Sequence, residues 1–283
     1  MKRKAAGCGI SCALVLCWSA ATGWVWGQTP AQTGAASGPS TGSPVGGAEA
    51  APTVSSAVAA NPALAQGLAA LKAEHPRQAL LDFQQVLKSD PTNVAANLLA
   101  STAAVELFQG QPAVEYAEKA RQLDPQNWKI HTTLVAAYAA AAMNQQRDRE
   151  RVLLEQLHRN GPPDARQATG FLIEMFPLNA YRVDAVEYFE PVGKFHTYYR
   201  FLVRRADGHR VWEVDVESDD FDQKSWADAH AEDAAGGARQ FQLTGHGENN
   251  ENVEYRNFSG HPDYDNIRVM VVESLRTRGV PGA

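Results

Sequence analysis

The chain has 283 residues and a formal net charge of −6, a length that accommodates one or two ordinary domains. Loss of Lys2, Arg3 and Lys4 with an N-terminal leader would leave 23 basic against 32 acidic side chains, a net charge of −9. This acidic balance argues against nucleic acid or an anionic membrane surface as a general partner.

Residues 1–27 have the pattern of a Sec-type signal peptide, in which a basic segment precedes a short apolar core. That core, Ile10 to Ala21, is too short to span a bilayer comfortably. The small residue Gly27 precedes Gln28, and we expect cleavage near this bond; the alternative is an uncleaved N-terminal anchor. The leader therefore predicts export to the periplasm or the extracellular space, with no integral membrane segment after cleavage.

All three cysteines, Cys8, Cys12 and Cys17, lie in this leader. The mature chain would therefore form no disulfide and no cysteine metal site. The next segment, 28–60, has 27 of its 33 residues as Ala, Gly, Pro, Ser or Thr, and its one charged residue is Glu49. Such a segment buries too little apolar surface to offset the entropy of ordering, which predicts a disordered tether. A leader followed by such a tether is typical of bacterial exported proteins.

Residues 61–161 are organised by an internal repeat. Asp-Pro-Thr-Asn at 90–93 returns as Asp-Pro-Gln-Asn at 124–127, and Ala79 returns as Ala113. We call this common offset, from 90 to 124 and from 79 to 113, the repeat period. A fixed period of about this length is the mark of a helix–turn–helix repeat array. The alternative is a generic antiparallel helical bundle.

Capping residues and prolines place the helices of this array. Predicted helices begin at Pro62, Pro76, Val94 and Pro112, because proline suits the first helical turn and Asn61 is a good N-cap. We expect the third helix to end at Leu107, with Gly110 as a left-handed C-cap. A third unit, 128–161, keeps the helical periodicity but has Arg147 where Ala is expected. These features predict that residues 128–161 form a divergent unit or a capping helix pair.

The spacing of small residues and prolines resembles the tetratricopeptide repeat (TPR) family. The positions that carry the resemblance are Gly67, Ala79, Phe83, Val86 and Pro91 in the first unit, and Ser101, Ala113, Ala117, Ala120 and Pro125 in the second. Small residues at these positions let the two helices of a unit touch, and the proline sets the turn between units.

The resemblance implies a concave groove, lined by the first helix of each unit, that binds extended peptides or helices of a partner protein. By the family's pattern the lining includes Leu68, Lys72, Thr102, Glu106, Lys129 and Thr132. The family's variant that clamps a C-terminal carboxylate is not implied, because Leu64, Leu68 and Leu99 occupy the positions where it uses Lys and Asn. The alternative for the groove leucines is that they belong to the core.

Gly-Pro-Pro at 161–163 marks a boundary, after which residues 165–276 alternate aromatic or β-branched with polar residues, as strands do. The predicted strands are 171–176; 181–189; a third with Phe195, Thr197, Tyr199, Phe201 and Val203 on one face; a fourth with Trp212, Val214 and Val216; a fifth with Phe241 and Leu243; and 253–258. Asp207-Gly208 predicts a hairpin turn. A short helix is expected over 222–235. Residues 262–275 fit a helix or a strand, and we expect a helix covering one sheet face, followed by a tail at 277–283.

No motif in this second region points to catalysis or to a cofactor. The five histidines His196, His209, His230, His246 and His261 lack the short paired spacing of a metal site. The acidic run that contains Glu213, Asp215 and Glu217 lacks the register of a calcium loop, and we interpret it as a solvated strand face. No metal ligand and no catalytic residue is therefore assigned.

The sequence predicts an α+β multidomain chain in which a helical repeat array precedes a mostly antiparallel sheet domain. It predicts an exported, non-enzymatic adaptor or scaffold that binds a protein or peptide in the repeat groove. The alternative is a small-ligand or metal-binding sheet domain supported by the repeats. In that case Tyr198, Tyr199, Trp212 and Trp226 are the aromatic residues expected to line a pocket.

Overall fold

A computed structural model describes residues 61–218, 239–248, 251–260 and 263–278. The predicted leader, the tether and the helix expected over 222–235 lie outside these ranges. Within them, eight helices and six strands occur, with six long helices before the sheet and one long helix after it.

The six long N-terminal helices form three pairs, which we call unit one, unit two and unit three. Their bounds are α1 Pro62–Lys72 and α2 Pro76–Ser89 in unit one, α3 Val94–Glu106 and α4 Gly110–Leu123 in unit two, and α5 Trp128–Ala140 and α6 Asn144–Asn160 in unit three. The predicted starts at Pro62, Pro76 and Val94 are confirmed. The side chain of Asn61 caps α1, since it accepts backbone N–H groups of Ala63 and Leu64 at 3.0 and 3.3 Å.

The turn inside each unit has the same backbone geometry. Glu74, Phe108 and Ala142 follow one another at the repeat period, and their φ angles are 57°, 56° and 56°. The residue after each of them donates its N–H to a carbonyl near the end of the preceding helix, as His75 to Ala70, Gln109 to Ala104 and Met143 to Tyr138. Unit three therefore repeats the backbone of the first two units although its sequence has diverged, and the array has three structural repeats.

The prediction that Gly110 is a left-handed C-cap is wrong. The left-handed residue is Phe108, and Gly110 is the first residue of α4, which therefore begins before Pro112. A Cβ atom at Gly110 would overlap the backbone carbonyl of Ala140 at the end of α5. Glycine is required there because units two and three approach closely, not because the turn needs a positive φ.

The backbone strain at the left-handed residue of unit three can be tested directly by substitution. Ala142 is exposed, and its φ of 56° is costly for any residue with a Cβ. We expect Ala142→Gly to raise the free energy of unfolding by about 1 kcal/mol, measured by urea denaturation. The matched control is Ala69→Gly at an exposed site inside α1, where the same change should lower stability by about 1 kcal/mol. Equal signs for the two variants would contradict this account.

A short helix, α7 (Pro163–Arg166), leads from the repeats to a six-stranded antiparallel sheet in which neighbours in sequence are neighbours in space. The strands are β1 Gly170–Leu178, β2 Tyr181–Val192, β3 Thr197–Arg204, β4 Arg210–Glu217, β5 Arg239–Gly247 and β6 Asn252–Gly260. The predicted turn at Asp207-Gly208 is confirmed, with a φ of 79° at Gly208. The placement of Phe195 in the third strand is wrong. It is 52% exposed in the turn before β3, where His196 is left-handed and interrupts the extended chain.

The last helix, α8 (Tyr264–Arg278), covers one face of this sheet, as predicted. Tyr264, Ile267, Val271 and Leu275 recur at helical spacing and are buried with the inward-facing residues of the strands. Val269 is 61% exposed, so the alternative strand register through Ile267, Val269 and Val271 is wrong. We call the face beneath α8 the inner face and the opposite face the outer face.

The repeats and the sheet share two buried clusters. Val135 of α5 and Leu154 of α6 belong to the same apolar cluster as the inner face. Leu172 and Met175 of β1 belong to the cluster formed by units two and three. The sheet therefore packs directly on the repeat array.

Candidate functional site

The six predicted groove residues differ widely in exposure. Lys72 is exposed, and Leu68 and Thr102 are partly exposed. Glu106 and Thr132 are 8% and 5% exposed. The Lys129 ammonium lies 3.7 Å from the Asp164 carboxylate. The concave surface is thus accessible toward unit one and buried toward unit three, and its role in binding stays a prediction.

The chain's own sheet accounts for this burial. Leu172 and Met175 of β1 share a buried cluster with Leu98 of α3 and Ala136 of α5, both from the first helices of their units. Strand β1 packs against α5 and therefore covers the part of the predicted groove that unit three forms.

Two arginines of unit three bind the sheet and the helix that covers it. Arg151 occupies the place of Ala117 one repeat period later, and its guanidinium donates to both oxygens of Glu187 at 2.7 Å and to the Tyr199 hydroxyl at 3.0 Å. Arg147 occupies the place of Ala113 in the same way. Two positions that are alanine in unit two are therefore arginines in unit three, and these arginines contact the sheet and the helix that covers it.

Arg147 makes the second of these contacts, with the C-terminal helix. Its guanidinium donates to the two oxygens of Asp265 at 2.9 and 3.1 Å and lies 5.1 Å from the ring centre of Tyr264. These hydrogen bonds lower the pKa of Asp265, although burial opposes the shift. A bidentate pair of this kind fixes orientation as well as distance, so it sets how α8 meets α6.

Units one and two contact the sheet through a charged cluster at the C-terminal ends of α1 and α3. Arg182 of β2 lies 3.1 Å from Glu74 and 2.9 Å from Asp184. Glu106 adjoins them, and its Oε2 is buried without a hydrogen-bond partner among the described residues. Burial raises the pKa of Glu106 to about 8, Arg182 opposes this, and Glu74 and Asp184 add to it. At this interface Glu106 is therefore either protonated or carries a buried charge that lowers the stability of the fold.

The interpretation of the acidic run as a solvated strand face is wrong for its described members. Glu213, Asp215 and Glu217 are 8%, 3% and 8% exposed on the outer face of β4. Arg200 of β3 pairs directly with Asp215 in the strand register and donates to both of its oxygens at 2.6 Å. Arg210 pairs with Glu213. Arg200 on the neighbouring strand and Arg210 on β4 itself therefore replace water around Asp215 and Glu213.

The described histidines do not cluster with one another, and one of them, His246, lies near two carboxylates. His196 lies 3.3 Å from the Ser218 carbonyl, His209 pairs with Glu248, and His230 and His261 lie outside the described residues. His246 differs, because its Nε2 lies 3.9 Å from Asp215 Oδ2 and 3.9 Å from Glu217 Oε1. The Glu217 carboxylate raises the pKa of His246 to about 9, partial burial opposes this, and Asn252 and Asp215 add to it.

Sequence reasoning missed this group because its members lie on strands separated by residues 218–238. The register that pairs Glu213 with His246 across β4 and β5 is set by tertiary structure, and no spacing in the sequence encodes it. The group borders a cavity of about 480 Å³, whose lining includes Phe195, Glu217, Gln242, Thr244, His246 and Asn252. Of the aromatic residues expected to line a pocket, Tyr198, Tyr199 and Trp212 are instead buried in the core, so the prediction is wrong for these three, and Trp226 lies outside the described residues.

The chain has no match among protein-family models, and no curated protein is significantly similar to it. No helix in the described ranges combines the length and apolarity that crossing a membrane requires. The fold and its contacts are therefore the basis on which a function can be proposed.

Proposed function

We propose that the chain is an exported, non-enzymatic interaction protein of the TPR type, whose partner binds the unit-one end of the concave surface. The observation that supports this proposal is the threefold recurrence of one helix-pair backbone at the repeat period. Arrays with this period present a concave surface made by the first helix of each unit. Export rests on the predicted signal peptide.

The accessible part of this surface has a definite chemistry. Leu68 and Lys72 lie one helical turn apart on α1 and therefore point to the same side. Lys72 makes no ion pair with any residue in the described ranges, while Leu68 keeps part of its apolar surface exposed. Thr102 on α3 is the next groove position that is partly exposed. This combination suits a peptide that presents an apolar side chain next to a carboxylate.

Substitution at this surface tests the proposal. We expect Leu68→Glu combined with Lys72→Glu to abolish capture of specific partners from a native periplasmic extract, because both changes oppose an apolar and acidic ligand. Capture is quantified by mass spectrometry with the chain lacking residues 1–27 as bait. The whole remaining chain is required because residues 61–161 alone would expose the face of unit three that the sheet covers.

A matched control separates the groove from the remaining surface. Leu81 is 56% exposed on α2, the second helix of unit one, so Leu81→Glu repeats the leucine-to-glutamate change of the groove variant at a site outside the groove. This variant should capture the same proteins as wild type. The proposal is wrong if wild type captures nothing above background, or if both variants lose the same partners.

One observation favours the alternative of a small-ligand site on the sheet. The 480 Å³ cavity on the outer face is lined by amide, hydroxyl, imidazole and carboxylate groups together with Phe195. Binding sites for small molecules are concave and carry a few convergent polar groups. In this second function the repeats support the sheet.

A further inference from the structure

Asp215, Glu217 and His246 converge on one point of the outer face, although they come from two strands. One ligand atom from each lies within 4.8 Å of the other two. We propose that these three side chains form a binding site for a divalent transition-metal ion. The inference concerns the sheet alone and stands independently of the peptide-binding surface on unit one.

Each of the three candidate ligands is oriented by a residue outside the triad. Asn252 Oδ1 lies 2.7 Å from Nδ1 of His246, Thr244 donates to Glu217 Oε2 at 2.9 Å, and Arg200 donates to Asp215. An amide oxygen only accepts hydrogen bonds, so Nδ1 carries the proton and a neutral His246 directs the lone pair of Nε2 at the two carboxylates. Outer partners of this kind are a regular feature of protein metal sites.

The site is also accessible from solvent. Glu217 and His246 both line the outer-face cavity of about 480 Å³, and the His246 side chain is 26% exposed. A metal ion can therefore enter without unfolding the sheet, and water or a small ligand can fill the positions that the protein leaves open.

The donor set and its spacing select the kind of metal. Imidazole suits zinc, copper, iron and nickel, whereas calcium, magnesium and manganese prefer oxygen ligands, so a site that needs His246 favours zinc or one of these other imidazole-binding metals. Ligands of a tetrahedral zinc ion lie roughly 3.4 Å apart. The two distances of 3.9 Å from Nε2 exceed this by a few tenths of an ångström, which rotation of the partly exposed His246 side chain can supply.

Asp215 is the weakest of the three ligands, because Arg200 already occupies both of its oxygens. Each carboxylate oxygen has two lone pairs, so an oxygen that accepts one guanidinium N–H keeps one for a metal. The competing arrangement is a protonated His246 that balances Glu217 as an ion pair with no metal. These two arrangements differ in whether the protein binds zinc through His246.

The test is calorimetric titration of the tag-free, metal-free chain lacking residues 1–27 with zinc chloride. We expect one equivalent of zinc to bind. His246→Ala and Glu217→Gln should each weaken binding at least 100-fold, and Asn252→Ala should weaken it about 10- to 100-fold by releasing the imidazole. With cobalt as the probe, wild type should show visible d–d absorption that His246→Ala lacks.

Controls distinguish this site from other histidines and from loss of structure. His209 is exposed and pairs with Glu248 away from the triad, so His209→Ala should bind zinc as wild type does. His246→Gln keeps a polar side chain and replaces the alanine variant if that variant melts at a lower temperature. Absence of zinc binding by wild type, or equal zinc binding by wild type and both His246 variants, would overturn the proposal.

Discussion

Replacement of Arg151 by methionine is expected to lower the free energy of unfolding by roughly 3 to 5 kcal/mol. The substitution leaves Glu187 without its counter-charge, and the Glu187 side chain is 5% exposed. Arg151 also donates to the buried Tyr199 hydroxyl, which would lose a partner. Urea denaturation followed by circular dichroism measures the change.

Two further variants show that the effect comes from an uncompensated buried charge. Arg159→Met on the same helix removes an arginine that is 43% exposed and lies 3.8 Å from Glu155, so it should cost less than about 1 kcal/mol. Combining Arg151→Met with Glu187→Leu should recover much of the loss, because a buried pair replaced by apolar groups is often close to neutral. Similar losses for Arg151→Met and Arg159→Met would show that the pair does not hold the sheet on the repeats.

Stability should fall as pH rises through the range from about 4.5 to about 8, to the extent that Glu106 controls it. The folded-state pKa of Glu106 is about 8, above its ordinary value of 4.5, so the folded protein binds the proton more tightly than the unfolded chain. The stabilisation is therefore complete below pH 4.5 and is lost by about pH 8. The difference amounts to roughly 3 to 5 kcal/mol.

Glu106→Gln isolates this contribution, because glutamine is close in shape to the protonated acid and does not titrate. We expect the variant to match wild type below pH 4.5 and to be more stable than wild type by several kcal/mol above pH 8. Glu115→Gln at an exposed site on α4 is the matched control, and its stability curve should follow that of wild type. Parallel curves for Glu106→Gln and wild type would show that Glu106 is solvated in the folded protein.

Glu106 also links the predicted groove to the charged cluster between repeats and sheet. The resemblance to the repeat family predicts Glu106 as a groove residue, and its carboxyl interacts electrostatically with Arg182, Glu74 and Asp184. Titration of this acid therefore acts on the contact between unit two and β2. Any partner that inserts between the repeats and the sheet would change the same contact.

Local chemistry explains which parts of the fold could be predicted. Asn61 and Pro62 start α1 for two reasons. The Asn61 side chain accepts backbone N–H groups of the first turn, and Pro62 has no N–H group that would need a partner. Trp212, Val214 and Val216 alternate with Glu213 and Asp215, which places the first set in the core at once. Gly110 shows the limit of such reasoning, since its glycine is required by Ala140 of another unit.

The sequence by itself determined the repeat period, the helix pairs, the positions of the strands along the chain and the covering of one sheet face by the last helix. Each of these depends on residues close in the chain, through caps, turns and hydrophobic periodicity. Only the tertiary structure decided that Arg151 meets Glu187, that β1 covers the unit-three part of the groove, and that His246 joins Asp215 and Glu217. Those contacts join residues from separate elements, and the docking that creates them leaves no period in the sequence.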